Sequence, residues 1–228
     1  MKKLCLTLTV FALALAACAA PTPAPTPTPT PDEWLDRAAQ AVSALKSAQF
    51  SLVREGPPVV LDPQTGVAFT EATGQYQAPD RVSASTKVSL GGTVLQIKWL
   101  WLPEGNFVTN PLTQAWTPTP AGAAFNGAAL FGPEGFAGAL KDGLQNTKLV
   151  GVEKIEEAEA LRISGEADGA KLAALTAGAL DAGTAYPVDV WLQPATADVI
   201  RLHIAEPDGN GWLIDLFDLN APVEIKAP

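Results

Sequence analysis

Apolar positions recur along this chain with two different periods, and the change from one to the other outlines the fold. Over residues 32–46, Leu35, Ala38, Val42 and Leu45 return every three or four positions, while Asp36, Arg37, Gln40 and Lys46 fall elsewhere. That spacing places one apolar stripe along a helix. Thr30 can serve as its N-cap, Pro31 suits the first turn, and Glu33 follows Thr30 by three residues as in a capping box. After Gln49 the period drops to two. Phe50 and Leu52 alternate with Ser51 and Val53, and Val82, Ala84, Thr86 and Val88 alternate as far as Gly91-Gly92. Over residues 94–102, Leu95, Ile97, Trp99 and Trp101 share one face, and Gln96 and Lys98 take the other. Pro103-Glu104-Gly105-Asn106 predicts a turn into Phe107-Val108-Thr109. The expectation is an antiparallel meander whose apolar face is covered by helix.

The second half carries the same two periods with a weaker join. Pro133 can open a helix on which Phe136, Leu140 and Leu144 recur at every fourth residue. Gly135, Gly138 and Gly143 weaken it, at roughly 1 kcal/mol each, so a short and loosely packed helix is expected. Residues 149–155 and 160–165 read as strands. Asp168 can cap a helix carrying Leu172, Leu175 and Ala179. Val188, Val190 and Leu192 then alternate with Asp189 and Trp191, and residues 199–205 and 212–219 complete the strand set. No internal repeat divides this region, which predicts a single domain over residues 32–228.

The start of the chain is of another kind. Met1-Lys2-Lys3 precedes an apolar stretch over residues 4–14 and then Leu15-Ala16-Ala17-Cys18. Two lysines, a short apolar core and small residues describe a signal peptide over residues 1–17. A retained membrane helix is the rival reading, but residues 4–20 fall short of the ~20 apolar residues that a bilayer core requires. Residues 19–31 alternate proline with threonine and alanine. Prolines lack the amide donor and fix φ, so this segment cannot join a sheet or a helix interior. It is expected to form an extended tether of about 40 Å, at ~3.1 Å per residue.

Cysteine and charge narrow the chemistry. Cys5 lies in the removable segment, and Cys18 is the only other cysteine. A domain that loses Cys5 and has Cys18 acylated has no disulfide, no thiolate metal site and no cysteine nucleophile. The net charge of −9 becomes −11 once Lys2 and Lys3 are cleaved off. That balance argues against nucleic acid as a partner, because nucleic-acid affinity rests largely on neutralising phosphates. His203 is the only histidine and falls on a strand opposite Ile200, Leu202 and Ile204. No Gly-x-Ser-x-Gly elbow, phosphate loop or zinc-binding histidine pair is present. Glu153, Glu156, Glu157 and Glu159 read as a solvated run, and Asp215 and Asp218 form no evident acid–base pair. The sequence predicts no enzyme, no cofactor and no metal.

Leu15-Ala16-Ala17-Cys18 resembles a bacterial lipobox. The chain as a whole resembles the LppX/LprA/LprF/LprG family of bacterial lipoproteins, whose fold is shared with the LolA and LolB carriers. The likeness runs from Asp32 to Pro228. It is carried by Leu45-Lys46-Ser47-Ala48-Gln49-Phe50, by Phe107-Val108 followed by Trp116, and by Gly151-Val152-Glu153 before Leu161-Arg162-Ile163-Ser164-Gly165. It continues through Val188-Asp189-Val190-Trp191-Leu192 and Val199-Ile200-Arg201-Leu202, and its strongest part is the ending Asp218 to Pro228.

The resemblance implies lipidation at Cys18 and an α+β fold in which a strongly curved antiparallel half-barrel wraps helices around an apolar cavity. It implies lipid or glycolipid tails in that cavity, held for transport or presentation in the envelope. Leu95, Ile97, Trp99 and Trp101 are the candidate wall, with Phe107, Phe136, Leu140 and Leu144 as candidate partners. An envelope exporter is a candidate partner. The expected location is the outer face of the cell membrane, or the outer membrane where there is one. A ligand-free adaptor that binds another envelope protein is the alternative, with Trp34 and Trp116 as contacts if they are exposed.

Overall fold

The computed structural model describes residues 29–62, 66–119 and 126–228. The signal peptide, Cys18 and nearly all of the tether lie outside the described residues. Helix α1 spans Pro31–Ser43 and begins as its sequence predicts. Thr30 Oγ1 accepts from the Glu33 amide at 3.3 Å, and the Glu33 carboxylate accepts from the Thr30 amide at 2.7 Å. This reciprocal pair satisfies two of the helix's otherwise unbonded amides. Leu35, Ala38, Ala39 and Val42 are buried beneath it.

The strands follow as β1 (Ser47–Glu55), β2 (Val59–Asp62), β3 (Val67–Gln77), β4 (Arg81–Leu90), β5 (Thr93–Leu102), β6 (Gly105–Thr109) and β7 (Trp116–Pro118). After a helical stretch come β8 (Leu144–Ile155), β9 (Ala158–Asp168), β10 (Ala185–Leu192), β11 (Val199–Ala205) and β12 (Gly211–Phe217). They form one twelve-stranded sheet in the order β7-β6-β5-β4-β3-β1-β12-β11-β10-β9-β8, with β2 on β3. Every pairing is antiparallel. The β1–β12 pair joins the two meanders into one surface.

The expected half-barrel is corrected here. The sheet is open and not strongly curled: β7 and β8 stand at opposite ends of the order and do not pair with each other. Their sequences explain why. β7 has three residues and ends in Pro118, which has no amide proton to extend a ladder. β8 is broken by register shifts at Gln145/Lys148 and at Leu149/Gly151, and such bulges twist an edge away from further pairing. The fold is α+β, but helix is a minor part. Beyond α1 there are α2 (Phe136–Gly138) and α3 (Gly169–Leu172), a 3₁₀ turn at Gly127–Phe131 and a π turn at Ala139–Gly143. These pieces pack on the sheet and are not enclosed by it.

Two helices fall short of the sequence expectation. The helix expected to reach Leu144 ends in the π turn, and Leu144 instead opens β8. It is not loosely packed either, since Phe136 and Leu140 are fully buried. A Cβ at Gly135 would stand 2.1 Å from the Leu130 carbonyl oxygen, so only glycine permits the backbone to fold back there. Asp168 does cap α3, accepting from the Ala170 amide at 2.8 Å. Yet α3 ends at Leu172, and Leu175 reaches the core from turns beyond it.

One apolar core lies between the sheet and these helical pieces, and a second, small one lies on the opposite face. The chain end builds the second. Ile225 sits on Leu100 and Leu102, with Phe107, Trp116 and Val223 packed around it. The Ile225 amide donates to Gln77 and its carbonyl accepts from Arg81, which pins the tail across the outer surface.

Candidate functional site

On the helix-facing side of β5, Leu95, Ile97, Trp99 and Trp101 line up as alternation requires, beside Val88, Thr86, Ala84 and Val82 of β4. They differ in what covers them. Trp101 is buried, with its ring against Gly127, where an added Cβ would meet it at 2.7 Å. Trp99 stacks on Trp101 at 5.7 Å and is half-buried. Leu95 and Ile97 are also half-buried, although Thr86 and Val88 beside them are buried. The Trp99 indole donates to Thr86 Oγ1 at 2.9 Å, and that hydroxyl donates to the Ile97 carbonyl at 3.1 Å. The polar atoms of this strip are thus bonded inward and its apolar edges are left partly open.

Phe136, Leu140 and Leu144 do not meet that strip as a group. Phe136 belongs to the central core and packs on Phe131 at 5.7 Å, which in turn stacks on Tyr76 at 4.2 Å. Leu140 and Leu144 floor a separate cleft of about 480 Å³ at the start of α1, with Leu35 beside them. Its rim is polar: Asp32, Asp36, Lys141, Gln145, Asn146 and Thr147. Thr147 donates to Asp32 at 2.6 Å and ties the start of β8 to the helix. Phe107 lies on the other face altogether. It pairs with Leu100 and packs in the small outer core.

The outer face between β8 and β12 holds the charged side chains. Asp189 accepts from Arg162 at 2.7 Å and from Ser164, and Arg162 also lies over the Trp191 ring at 5.1 Å. Burial alone would raise the Asp189 pKa. The bonds from Arg162 and Ser164, with the charges of Arg162 and His203, outweigh it and hold the carboxyl below its ordinary value. Arg201 and Asp215 form a two-bond pair, with Arg201 shifted upward by the hydrogen bonds it donates to Asp215. His203 reaches Glu55 at 2.9 Å on this same half-exposed surface. Among the described residues no group of three His, Cys, Asp or Glu side chains converges to hold a metal. No helix among them is long and apolar enough to cross a membrane.

Some features were not read from the sequence. Arg54 and Glu206 form a largely buried ion pair, 152 positions apart in sequence. Arg54 also lies over the buried Trp212 ring at 5.3 Å. Its acidic partner comes from the turn before β12 and is invisible to any local pattern. A shallow outer cleft over β1, β3 and β4, lined by Gln49, Thr73, Gln75, Ser83 and Ser85, was missed as well. Its residues look like ordinary solvent-facing positions when each strand is read alone.

The described residues define an open antiparallel sheet covered on one face by short helical pieces, with an apolar strip on β5 that is only half-buried. Comparison assigns that fold to a family. The model of the LppX_LprAFG lipoprotein family matches residues 30–225, and the chain belongs to that family. It is an exported, envelope-associated lipoprotein. The structure resembles LprF from Mycobacterium bovis, with a TM-score of 0.68 and 19% identity over 89% of this chain and 99% of that one. It also resembles lipoprotein LppX from Mycobacterium tuberculosis, at 0.62 and 16%, over 86% of this chain and 98% of that one. At such identities the structures establish a shared fold. No curated protein matches the sequence.

Proposed function

We propose that this lipoprotein binds lipid or glycolipid tails for transport or presentation in the cell envelope, with the half-open strip of Leu95, Ile97 and Trp99 as its tail-contacting surface. The observation that supports it is the contrast within one face: Thr86 and Val88 are buried, while Leu95, Ile97 and Trp99 beside them are only half-buried. An acyl tail laid along that surface would remove it from water, at about 25 cal/mol per Å². Trp101 then forms the packed end of the strip, and Leu140 and Leu144 belong to a second contact zone at the α1 cleft. Acylation at Cys18 would hold the domain to the membrane, and the tether would give it reach toward lipid or toward an exporter.

The test is organic extraction and mass spectrometry of non-covalent lipid from the purified chain. Stoichiometric lipid that is lost in Ile97→Trp while the urea midpoint holds supports the assignment. A chain that carries no extractable lipid after exposure to envelope lipid would defeat it. The adaptor reading has one observation in its favour. Leu149, Val150 and Val152 are exposed on the edge strand β8, where a partner strand could add. Capture of an envelope protein that Val150→Lys abolishes, from a chain free of lipid, would put that reading ahead.

A further inference from the structure

We propose that the outer face of the sheet carries a second binding site, for a neutral hexopyranose glycan, opposite the face that contacts lipid tails. A cleft of about 260 Å³ opens there over β1, β3 and β4. Two adjacent cross-strand rows build it. One runs Phe217–Gln49–Gln75–Ser83 from β12 to β4, and the next runs Thr73–Ser85–Lys98 from β3 to β5. At ~4.8 Å between strands, the first row extends about 14 Å, long enough for a short run of linked sugar rings.

The side chains suit a sugar and little else. Amides and hydroxyls both donate and accept, which is what a ring of alternating hydroxyls requires. The side chains of Thr73, Gln75 and Ser83 form no hydrogen bond to the protein among the described residues, so they are available to a ligand. Ser85 accepts from Gln96 at 2.6 Å and keeps its own proton to donate. Aromatic rings border the cleft at both ends: Trp116, half-buried against the outer core, and Phe217, 43% exposed. Such rings offer flat apolar surface to the C–H faces of a pyranose. Gly74 and Ala84, whose side-chain positions face the main core, contribute backbone to the floor.

Charge excludes the rivals. The chain has 24 acidic residues, yet none lines this cleft, and Lys98 is its only charged side chain. One lysine is too little for a polyanion. Serine-rich surface is depleted at protein–protein interfaces, which favour Tyr, Trp, Met and Arg at their centres. The chain end fixes the border: Gln49 donates to Asp218 at 2.7 Å, and the tail then crosses to Ile225.

The glycan could be free polysaccharide or the headgroup of a glycolipid, and two arms separate these sources. In the first, the full chain is titrated calorimetrically with maltohexaose, mannohexaose and cellohexaose. In the second, its binding to phosphatidylcholine vesicles is compared with and without digalactosyldiacylglycerol, so that the acyl anchor cancels. Saturable binding in the first arm supports free glycan; a gain confined to the second supports a headgroup. In either case Phe217→Ala and Gln75→Ala, both solvent-facing, should each weaken binding about tenfold with an unchanged urea midpoint. Ile97→Ala on the opposite face should leave it intact, which separates this site from the lipid-tail reading. Absence of binding in both arms, or binding that survives either outer-face substitution unchanged, overturns the proposal.

Discussion

The two wings of the sheet use the same alternation of side chains and reach opposite outcomes. On the wing of β9 to β12 the inner residues Ile163, Val188, Val190, Leu202, Ile204 and Ile214 are all buried, because helical segments pack over them. On the wing of β5 the inner residues Leu95, Ile97 and Trp99 are only half-buried. Nothing in the period-two pattern separates these wings. The difference lies in what the rest of the chain places above them, and that is where a binding surface can arise in a fold with no other special chemistry. Substitutions on either wing, and on the strand between them, should separate packing from binding.

The helical cover of the sheet should give the largest effect. Phe136 is fully buried and touches Phe131, so Phe136→Ala should cost about 3–5 kcal/mol. A urea titration measures it directly. A loss below about 1 kcal/mol would mean that this side of the molecule is as open as β5.

The seam between the wings comes next. On β3, Gly74 faces Phe50 across the pair, and a Cβ there would stand 2.5 Å from the Phe50 ring and 2.4 Å from the Ser83 carbonyl oxygen. Gly74→Ala must therefore displace backbone, with an expected loss of about 1–3 kcal/mol. Because Gly74 also floors the outer cleft, the same variant tests whether that cleft tolerates a shift in its base.

How far the sequence reached follows from the same distinction. Helix α1, its capping box, the face shared by Leu95 to Trp101 and the Asp168 cap were legible, because each depends on residues a few positions apart. The half-barrel was not a local inference and did not hold: a period of two specifies which way side chains point but not how a sheet bends or whether its edges meet. Edge chemistry decided that, through Pro118 at one end and the bulged β8 at the other. Phe107 is a candidate partner of the β5 wall, yet the turn at Pro103 pairs it with Leu100 and sends it to the outer face. The spacing of Leu144 fits a helix, but the helical stretch ends one residue earlier, at Gly143.

Electrostatics on the packed wing's outer face predict a smaller, pH-dependent effect. Asp189 has its carboxyl held below the ordinary value, mainly by Arg162 and Ser164 against the opposing effect of burial. A depressed folded-state pKa stabilises the fold above the unfolded value of about 3.9 and loses that contribution as pH falls through the folded one. Stability of the wild type should therefore fall with acid in that range, and Asp189→Asn should flatten the fall while lowering stability at neutral pH. Equal slopes for the two chains in acid urea titrations would show that Arg162 does not favour the charged form.

Ile97 should show the smallest change in stability and the most informative one. It pairs with Thr86, whose hydroxyl bonds its carbonyl, so the backbone is held whatever its side chain does. Its side chain is half-buried, so removing it to Ala forfeits only part of the ~1.5–3 kcal/mol of a fully buried aliphatic residue, about 1 kcal/mol. Ile97→Trp has room to project where Phe136 does not, and should shift the urea midpoint as little. If lipid tails lie on this strip, both variants change lipid load far more than they change folding. Truncation removes contact surface, and the indole fills the space that a tail would take. A loss of 2 kcal/mol or more in Ile97→Ala, with lipid load unaltered, would place Ile97 in packed core and make the two wings alike. Unaltered load with an unaltered midpoint would keep the wings distinct but move the tails elsewhere, and the cleft of Leu35, Leu140 and Leu144 would then be the next surface to block.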